Sequence, residues 1–220
     1  MDEVLEELLT PAHMRRFSVV SGPSFAVEVA RRAPTAVVAA SHDEAAARTV
    51  QRLLQNGYLR VYTNPDVIGV ELGGALKNVI ALAAGVAAGL GFGHNTLAAL
   101  ITRGLAEITR LGLAMGARRE TFSGLAGMGD LVLTCTGELS RNRTVGYRMG
   151  QGETLDEILR DMRGVAEGVQ TVRAVQELAR RHEVEMPITE EVHAMLVEGR
   201  SPSQALENLM SREPKPEDWS

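Results

Sequence analysis

One stretch, Gly73-Gly74-Ala75-Leu76-Lys77-Asn78-Val79-Ile80-Ala81-Leu82-Ala83-Ala84-Gly85, limits what this chain can fold into more than any other. It has no proline and few polar side chains, so it reads as the middle of a long, largely buried helix. One lysine interrupts it. The chain uses 23 basic residues, and Lys77 and Lys215 are its only lysines. At helical spacing Gly73, Gly74 and Ala81 share the face of Lys77 and leave room beside the ammonium. Burial there would disfavour the charged form and suit the group to proton transfer. The competing reading is a lysine whose stem lies along the apolar helix while its head reaches solvent.

Composition narrows the class. At 220 residues, 45% hydrophobic and 23% charged, the chain has the make-up of an ordinary globular protein of one large or two small domains. A net charge of −5 argues against nucleic acid as a partner. Cys135 stands alone, so no intrachain disulfide forms, which fits a reducing compartment. The longest apolar candidate, Val79 to Gly93, is cut by glycines and falls short of the roughly 18–20 residues of a membrane span. The start, Met1-Asp2-Glu3, is acidic where a signal peptide is basic. The expectation is a cytoplasmic chain with no membrane insertion and no metal site.

The first part of the chain alternates strand and helix. Residues 2–9 read as the end of a helix closed by Thr10-Pro11. Phe17-Ser18-Val19-Val20 is a strand running into the turn Ser21-Gly22-Pro23-Ser24, with Ser24 capping a helix over Phe25 to Val29. Such a joint offers backbone N–H groups to an anion, although an ordinary capped joint looks the same. Thr35 to Ala40 is a strand buried on both faces. Ser41-His42-Asp43-Glu44 is a capping box opening a helix to Gln55, and Tyr58 to Thr63 is a strand with Leu59 and Val61 on one face. No Gly-x-Gly-x-x-Gly follows any strand. Three strands make too small a sheet to stand alone.

From Asp66 onward the pattern is helical. Helices are expected over 66–89, from a cap at Asn95 or Thr96 to about Gly116, from Thr121, and over 154–162, 167–182, 189–198 and 202–210. Arg103, Glu107 and Arg110 form a stripe expected to be a solvated ion-pair face, with Arg103 able to turn towards Lys77. His182 and His193 are expected on exposed faces. Gly124 to Asp130 is a glycine-rich bend in which Asp130 reads first as a helix cap. Ser140-Arg141-Asn142-Arg143 at a helix start gathers a hydroxyl, an amide, two guanidiniums and free backbone N–H groups, a set suited to phosphate, or simply a solvated helix start. The fold class is therefore mostly α: an all-helical domain over 66–212, preceded by a partial α/β unit over 1–65 and followed by a flexible tail over 213–220.

Four blocks, Ser21 to Ala26, Gly73 to Ala81, Gly129 to Thr136 and Ser140 to Arg143, together with Glu185-Met186-Pro187-Ile188-Thr189-Glu190, resemble bacterial NAD(P)-dependent glycerol-3-phosphate dehydrogenase. The resemblance runs in order from about Phe17 to Arg200. It implies a Rossmann domain followed by a helical substrate domain, and reduction of dihydroxyacetone phosphate to sn-glycerol 3-phosphate, the backbone of membrane phospholipids. Carried over by motif, Lys77 is the proton donor and acceptor. Gly22, Ser24, Lys77, Asp130, Ser140, Arg141 and Asn142 would bind substrate. Ala26, Arg141, Val165 and Glu167 meet the cofactor, NADP or NAD. A small-molecule substrate and a possible homodimer complete the expectation.

The resemblance also implies a departure. The family's glycine-rich phosphate loop, a further lysine and the first half of its nucleotide domain have no counterpart here, so the chain is expected to begin inside that domain and to bind nucleotide poorly alone. Two alternatives stay open. One is a relative of 6-phosphogluconate or 3-hydroxyacyl-CoA dehydrogenase, the latter disfavoured by the Lys-Asn pair where a histidine base is expected. The other is a non-catalytic helical module that binds a phosphometabolite or dimerises.

Overall fold

The computed structural model describes residues 4–5, 7–14, 16–162, 164 and 166–217. The first unit holds α1 (Pro11–Met14), β1 (Val19–Ser21), α2 (Ala26–Ala30), β2 (Thr35–Ala40), α3 (Glu44–Leu54) and β3 (Leu59–Asn64). The strands lie in the order β1-β2-β3. β1 runs antiparallel to β2, with Val19 opposite Ala40, and β2 runs parallel to β3, with Val37 opposite Val61. β2 is buried on both faces, as its unbroken apolar run predicts. Val38 and Ala40 pack on Val67, Val70 and Ala126, while Val37 and Ala39 pack on Val61.

Two capping expectations fail here, each because a hydroxyl finds another partner. Ser24 does not cap α2; its Oγ donates to the Gly22 carbonyl at 2.9 Å, and Phe25 takes the N-cap position without a side-chain bond. Ser41 does not cap α3. It sits buried at the end of β2, where its Oγ donates to the Phe17 carbonyl at 2.6 Å, and Asp43 caps instead by accepting the Ala45 amide.

The helical unit is built around α4 (Val67–Gly89), with α5 (His94–Ala114), α6 (Arg119–Phe122), a π-helical turn (Leu125–Gly129), α7 (Asp130–Thr136), α8 (Arg141–Gly150), α9 (Leu155–Asp161), α10 (Glu167–Arg181), α11 (Pro187–Val197) and α12 (Pro202–Met210). α4 touches α5, α7, α8, α10 and α11, which buries nearly all its faces. Its 23 residues are long and apolar enough to cross a membrane, contrary to the expectation from unbroken apolar runs, because glycines and one lysine do not interrupt a helix. Its apolar window is 67% buried inside the protein, as in a core helix. The tightest crossing is with α8. A Cβ on Gly85 would stand 2.1 Å from the Arg143 carbonyl oxygen, and one on Gly146 2.0 Å from that of Leu82. Glycine at both positions lets two helix backbones touch.

Other local expectations shift. α5 starts at His94 behind an extended Gly93, without a side-chain cap, rather than after Asn95 or Thr96. The Arg103, Glu107 and Arg110 stripe is not a solvated face. Glu107 is 2% exposed and accepts the amides of Ile188 and Thr189, and Arg110 Nη2 donates to the Glu185 carbonyl. Arg103 turns away from Lys77, donating to the carbonyl of Glu217. His182 and His193 are half-buried rather than exposed; the neighbours of His193, Val192 and Ala194, lie in the core. In the tail, Arg212 and Lys215 both reach Glu185.

Candidate active site

Lys77 lies about one turn after Gly73 and two turns after Gly69 on α4, and lines a cavity of about 220 Å³ where the two units meet. Its side chain is 19% exposed, and its Nζ donates to Oδ2 of Asp130, whose side chain is 3% exposed. The ammonium is therefore not isolated among small apolar groups, as its sequence neighbours suggest; a carboxylate 53 residues away meets it. Asp130 is not a cap. The π-helical turn feeds α7 through a helical Gly129, so there is no break in the backbone to cap, and the carboxylate is left for Lys77. Burial pushes the Asp130 carboxyl above the usual carboxylate range, opposed by the Lys77 charge and by donors from Lys77, Thr134 and the Gly22 amide.

The turn after β1 forms one wall. Gly22 holds φ of 137°, a conformation that favours glycine, and a Cβ there would stand 3.1 Å from Val37 Cα. Ser24 and Phe25 line the cavity from the same turn. The opposite wall is the start of α8. Ser140 is its N-cap, and its Oγ accepts the Arg143 amide at 3.2 Å, which leaves the hydroxyl proton for another acceptor. Arg141 follows, half-exposed, with Nη2 at 3.4 Å from Glu167 Oε1 at the start of α10.

Asn142 is buried between helices. Its Oδ1 accepts the Gly168 amide and its Nδ2 donates to Asn78 Oδ1, both at 2.9 Å, so one amide ties α4, α8 and α10 together. Gly22, Ser24, Lys77, Asp130, Ser140, Arg141, Asn142 and Glu167 thus line a single cavity. Two expected residues do not join them. Ala26 is exposed at the first position of α2, one residue beyond the cavity wall, and Val165 lies outside the described residues.

Sequence reading missed Asn78, Phe25 and Thr134, which also line the cavity. Thr134 Oγ1 lies 2.6 Å from the Asp130 carbonyl, one helical turn on, a spacing that shows only once Asp130 is read inside a helix. Asn78 is next to Lys77 but belongs to the buried side of α4. Among the described residues no group of three or more His, Cys, Asp or Glu side chains is placed to hold a metal ion. Cys135 is fully buried, and burial pushes its thiol up to about 12, which keeps it an inert core residue. A larger cavity of about 540 Å³ lies between α4, α5, α11, α12 and the tail. It is mainly apolar and holds none of the groups gathered around Lys77.

The structure thus places a buried lysine–carboxylate ion pair across one cavity from a polar helix start, on a helical unit joined to a small sheet, an α/β-plus-helical architecture. Comparison with known proteins specifies it. The family model described as NAD-dependent glycerol-3-phosphate dehydrogenase C-terminus matches residues 66–207, and that of the N-terminus matches residues 1–47. The chain is 64% identical over 219 residues to glycerol-3-phosphate dehydrogenase (NAD(P)+) of Geobacter sulfurreducens and 61% identical over 220 residues to that of Koribacter versatilis. In each case it spans 100% of this chain and 65% of the relative. The crystal structure of glycerol-3-phosphate dehydrogenase from Coxiella burnetii superposes with a TM-score of 0.86 at 46% identity, over 89% of this chain and 60% of that one. The chain belongs to the NAD-dependent glycerol-3-phosphate dehydrogenase family.

Proposed function

We propose that this chain carries the substrate-binding and proton-transfer part of an NAD(P)-dependent glycerol-3-phosphate dehydrogenase, which interconverts dihydroxyacetone phosphate and sn-glycerol 3-phosphate. The observation that carries the reading is the Lys77–Asp130 pair facing Ser140, Arg141 and Asn142 across one cavity. Residues 66–212 would be the substrate domain and residues 1–65 part of the nucleotide domain, with 213–220 as a tail. The product would supply the backbone of glycerophospholipids, in the cytoplasm. A homodimer remains part of the proposal for the whole protein.

Each residue then has a role its chemistry supports. Arg141, the Ser140 hydroxyl and the first amides of α8 are donors suited to the phosphate. The turn at Gly22 and Ser24 closes on the substrate from the sheet side. Asp130 orients the Lys77 ammonium, which delivers a proton to the carbonyl oxygen in reduction and recovers it in oxidation. The hydride for the central carbon would come from NAD(P)H in reduction and pass to NAD or NADP in oxidation. Fit to that cofactor is partial: Arg141 and Glu167 at the mouth are charged and half-exposed, with Ala26 and Val165 as further contacts, while the sequence holds no glycine-rich phosphate loop.

The test is titration of glycerol 3-phosphate into the purified chain by calorimetry, beside NADH and NADPH oxidation with dihydroxyacetone phosphate. Binding with 1:1 stoichiometry that weakens in Arg141→Ala supports the reading. No binding and no turnover would sink it. Binding without turnover would mean that these 220 residues hold the substrate but do not complete the reaction on their own.

A further inference from the structure

Asp66 is 6% exposed and carries more hydrogen bonds than a helix cap needs. Oδ1 accepts the Gly69 amide at 2.9 Å and closes the first turn of α4. Oδ2 reaches across to a different segment, accepting the Arg118 amide at 2.8 Å and the Thr121 hydroxyl at 2.6 Å. The Asp66 amide itself donates to Asn64 Oδ1 at the end of β3, which ties in the sheet. A carboxylate taken this far out of water is held by three donors from two places in the chain.

Those two places lead to the two halves of the ion pair. Downstream of Asp66, α4 runs to Lys77. Downstream of Thr121, the chain passes through Phe122 and the π-helical turn to Asp130. The segments stay in contact all the way and run in the same direction. Midway, a Cβ on Gly73 would stand 2.4 Å from the Ala126 carbonyl oxygen, so the turn rests on the α4 backbone itself. The next contact along is Lys77 with Asp130. We propose that Asp66 is a positioning residue for the Lys77–Asp130 pair, its buried carboxylate clamping together the two segments that carry the pair's two members.

The lever arm makes the clamp matter. About 16 Å of helix separate Asp66 from Lys77, so a tilt of about 4° at the cap moves the ammonium by about 1 Å. A displacement of that size is enough to spoil a catalytic geometry. The functional weight of the clamp rests on the role given to Lys77 above; the clamp itself does not.

The test uses the chain's shortage of lysine. With lysine labelled at 13Cε and 15Nζ, only Lys77 and Lys215 give side-chain resonances, and Lys215, paired with Glu185, is the internal control. Asp66→Asn keeps an acceptor for Gly69 and loses the anion that holds Arg118 and Thr121. Thr121→Val removes one of the two bonds to the second segment, leaving the Arg118 amide bond and the α4 cap intact, while Thr121→Ser keeps the hydroxyl. The expected result is a shifted Lys77 resonance in Asp66→Asn and Thr121→Val, an unmoved Lys215, and a return to the native position in Thr121→Ser. Where turnover can be measured, kcat should fall roughly tenfold or more in the two shifted variants, with a smaller change in KM, and return in Thr121→Ser. Variants that lose melting temperature but keep the native Lys77 resonance would overturn the proposal, and Thr121→Val decides if Asp66→Asn does not fold. Shifted resonances in a chain that never binds glycerol 3-phosphate would leave the clamp standing and remove the dehydrogenase reading instead.

Discussion

Glu107 on α5 accepts the backbone amide of Ile188, the second residue of α11, at 2.7 Å inside the helical core. The same carboxylate takes the amide and hydroxyl of Thr189, so α5 supplies the N-terminal anchor that α11 lacks in its own sequence, where Met186 holds the cap position. Burial outweighs these donors and the nearby Arg110, and it raises the Glu107 carboxyl from 4.5 to about 7.

A pH signature follows from that shift. The unfolded chain ionises Glu107 near 4.5 while the folded chain holds the proton to about 7. The stabilisation from this group is complete below 4.5, falls as pH rises, and is gone above about 7. Within that window its slope approaches 1.4 kcal/mol per pH unit, roughly, at the steepest. Urea unfolding of the native chain and Glu107→Gln at several pH values isolates it. The variant should be less stable than native at pH 5 and should recover relative to it by pH 8; parallel curves would contradict the assignment.

Asn142 offers a second check, on the cavity wall. Asn142→Ala leaves the buried Gly168 amide and the Asn78 oxygen without their partner, a loss of about 1–3 kcal/mol. Asn142→Asp keeps an acceptor for Gly168 and turns a second oxygen on Asn78 Oδ1, so it should also be destabilised, and more so as pH rises above the carboxylate range. Thermal melts of the three proteins test this. Equal melting temperatures would mean that the amide does not join the helices in solution.

What could be read from the sequence divides along the same line as these contacts. α4, α8 and the strand Thr35–Ala40 follow from period and composition, which are local properties, and so does the grouping of Ser140, Arg141 and Asn142 on one helix start. Partners far away in sequence were not legible. Asp130 reads as a cap until Lys77 is seen beside it, and Glu107 reads as a surface residue until Ile188 is brought to it from 81 residues away. Ser24 and Ser41 were misjudged for the same reason, since a hydroxyl at a helix entrance takes whichever acceptor the fold provides.

The α4–α8 crossing predicts a large effect from one carbon. Gly146→Ala places a methyl 2.0 Å from the Leu82 carbonyl oxygen, where backbone rather than a flexible side chain must yield. Overpacking of this kind costs about 1–3 kcal/mol or more. For a chain of this size that corresponds to a drop of roughly 2–10 °C in melting temperature. Gly57→Ala, where nothing lies within 4 Å of the added carbon, is the control and should melt near the native value. Scanning calorimetry of both would settle whether the two helices touch as described.

Lys77→Ala and Arg141→Ala should separate chemistry from grip. Arg141 is half-exposed and, among the described residues, pairs only with Glu167, at 3.4 Å, so its removal disturbs the fold little. Loss of a charge-assisted bond to phosphate is worth about 1.5–3 kcal/mol, which is roughly a 10- to 150-fold weaker glycerol 3-phosphate. Lys77→Ala acts differently. It strands the Asp130 carboxyl, already raised by burial, without the ammonium that favours its charged form, so Asp130 should take up a proton at a higher pH than in the native chain. Calorimetric titration should show glycerol 3-phosphate still bound by Lys77→Ala. Where turnover can be measured, that variant should lose about 100-fold or more in kcat with a smaller change in KM. The reverse pattern, with binding lost in Lys77→Ala and turnover lost at unchanged KM in Arg141→Ala, would exchange the roles given to the two residues.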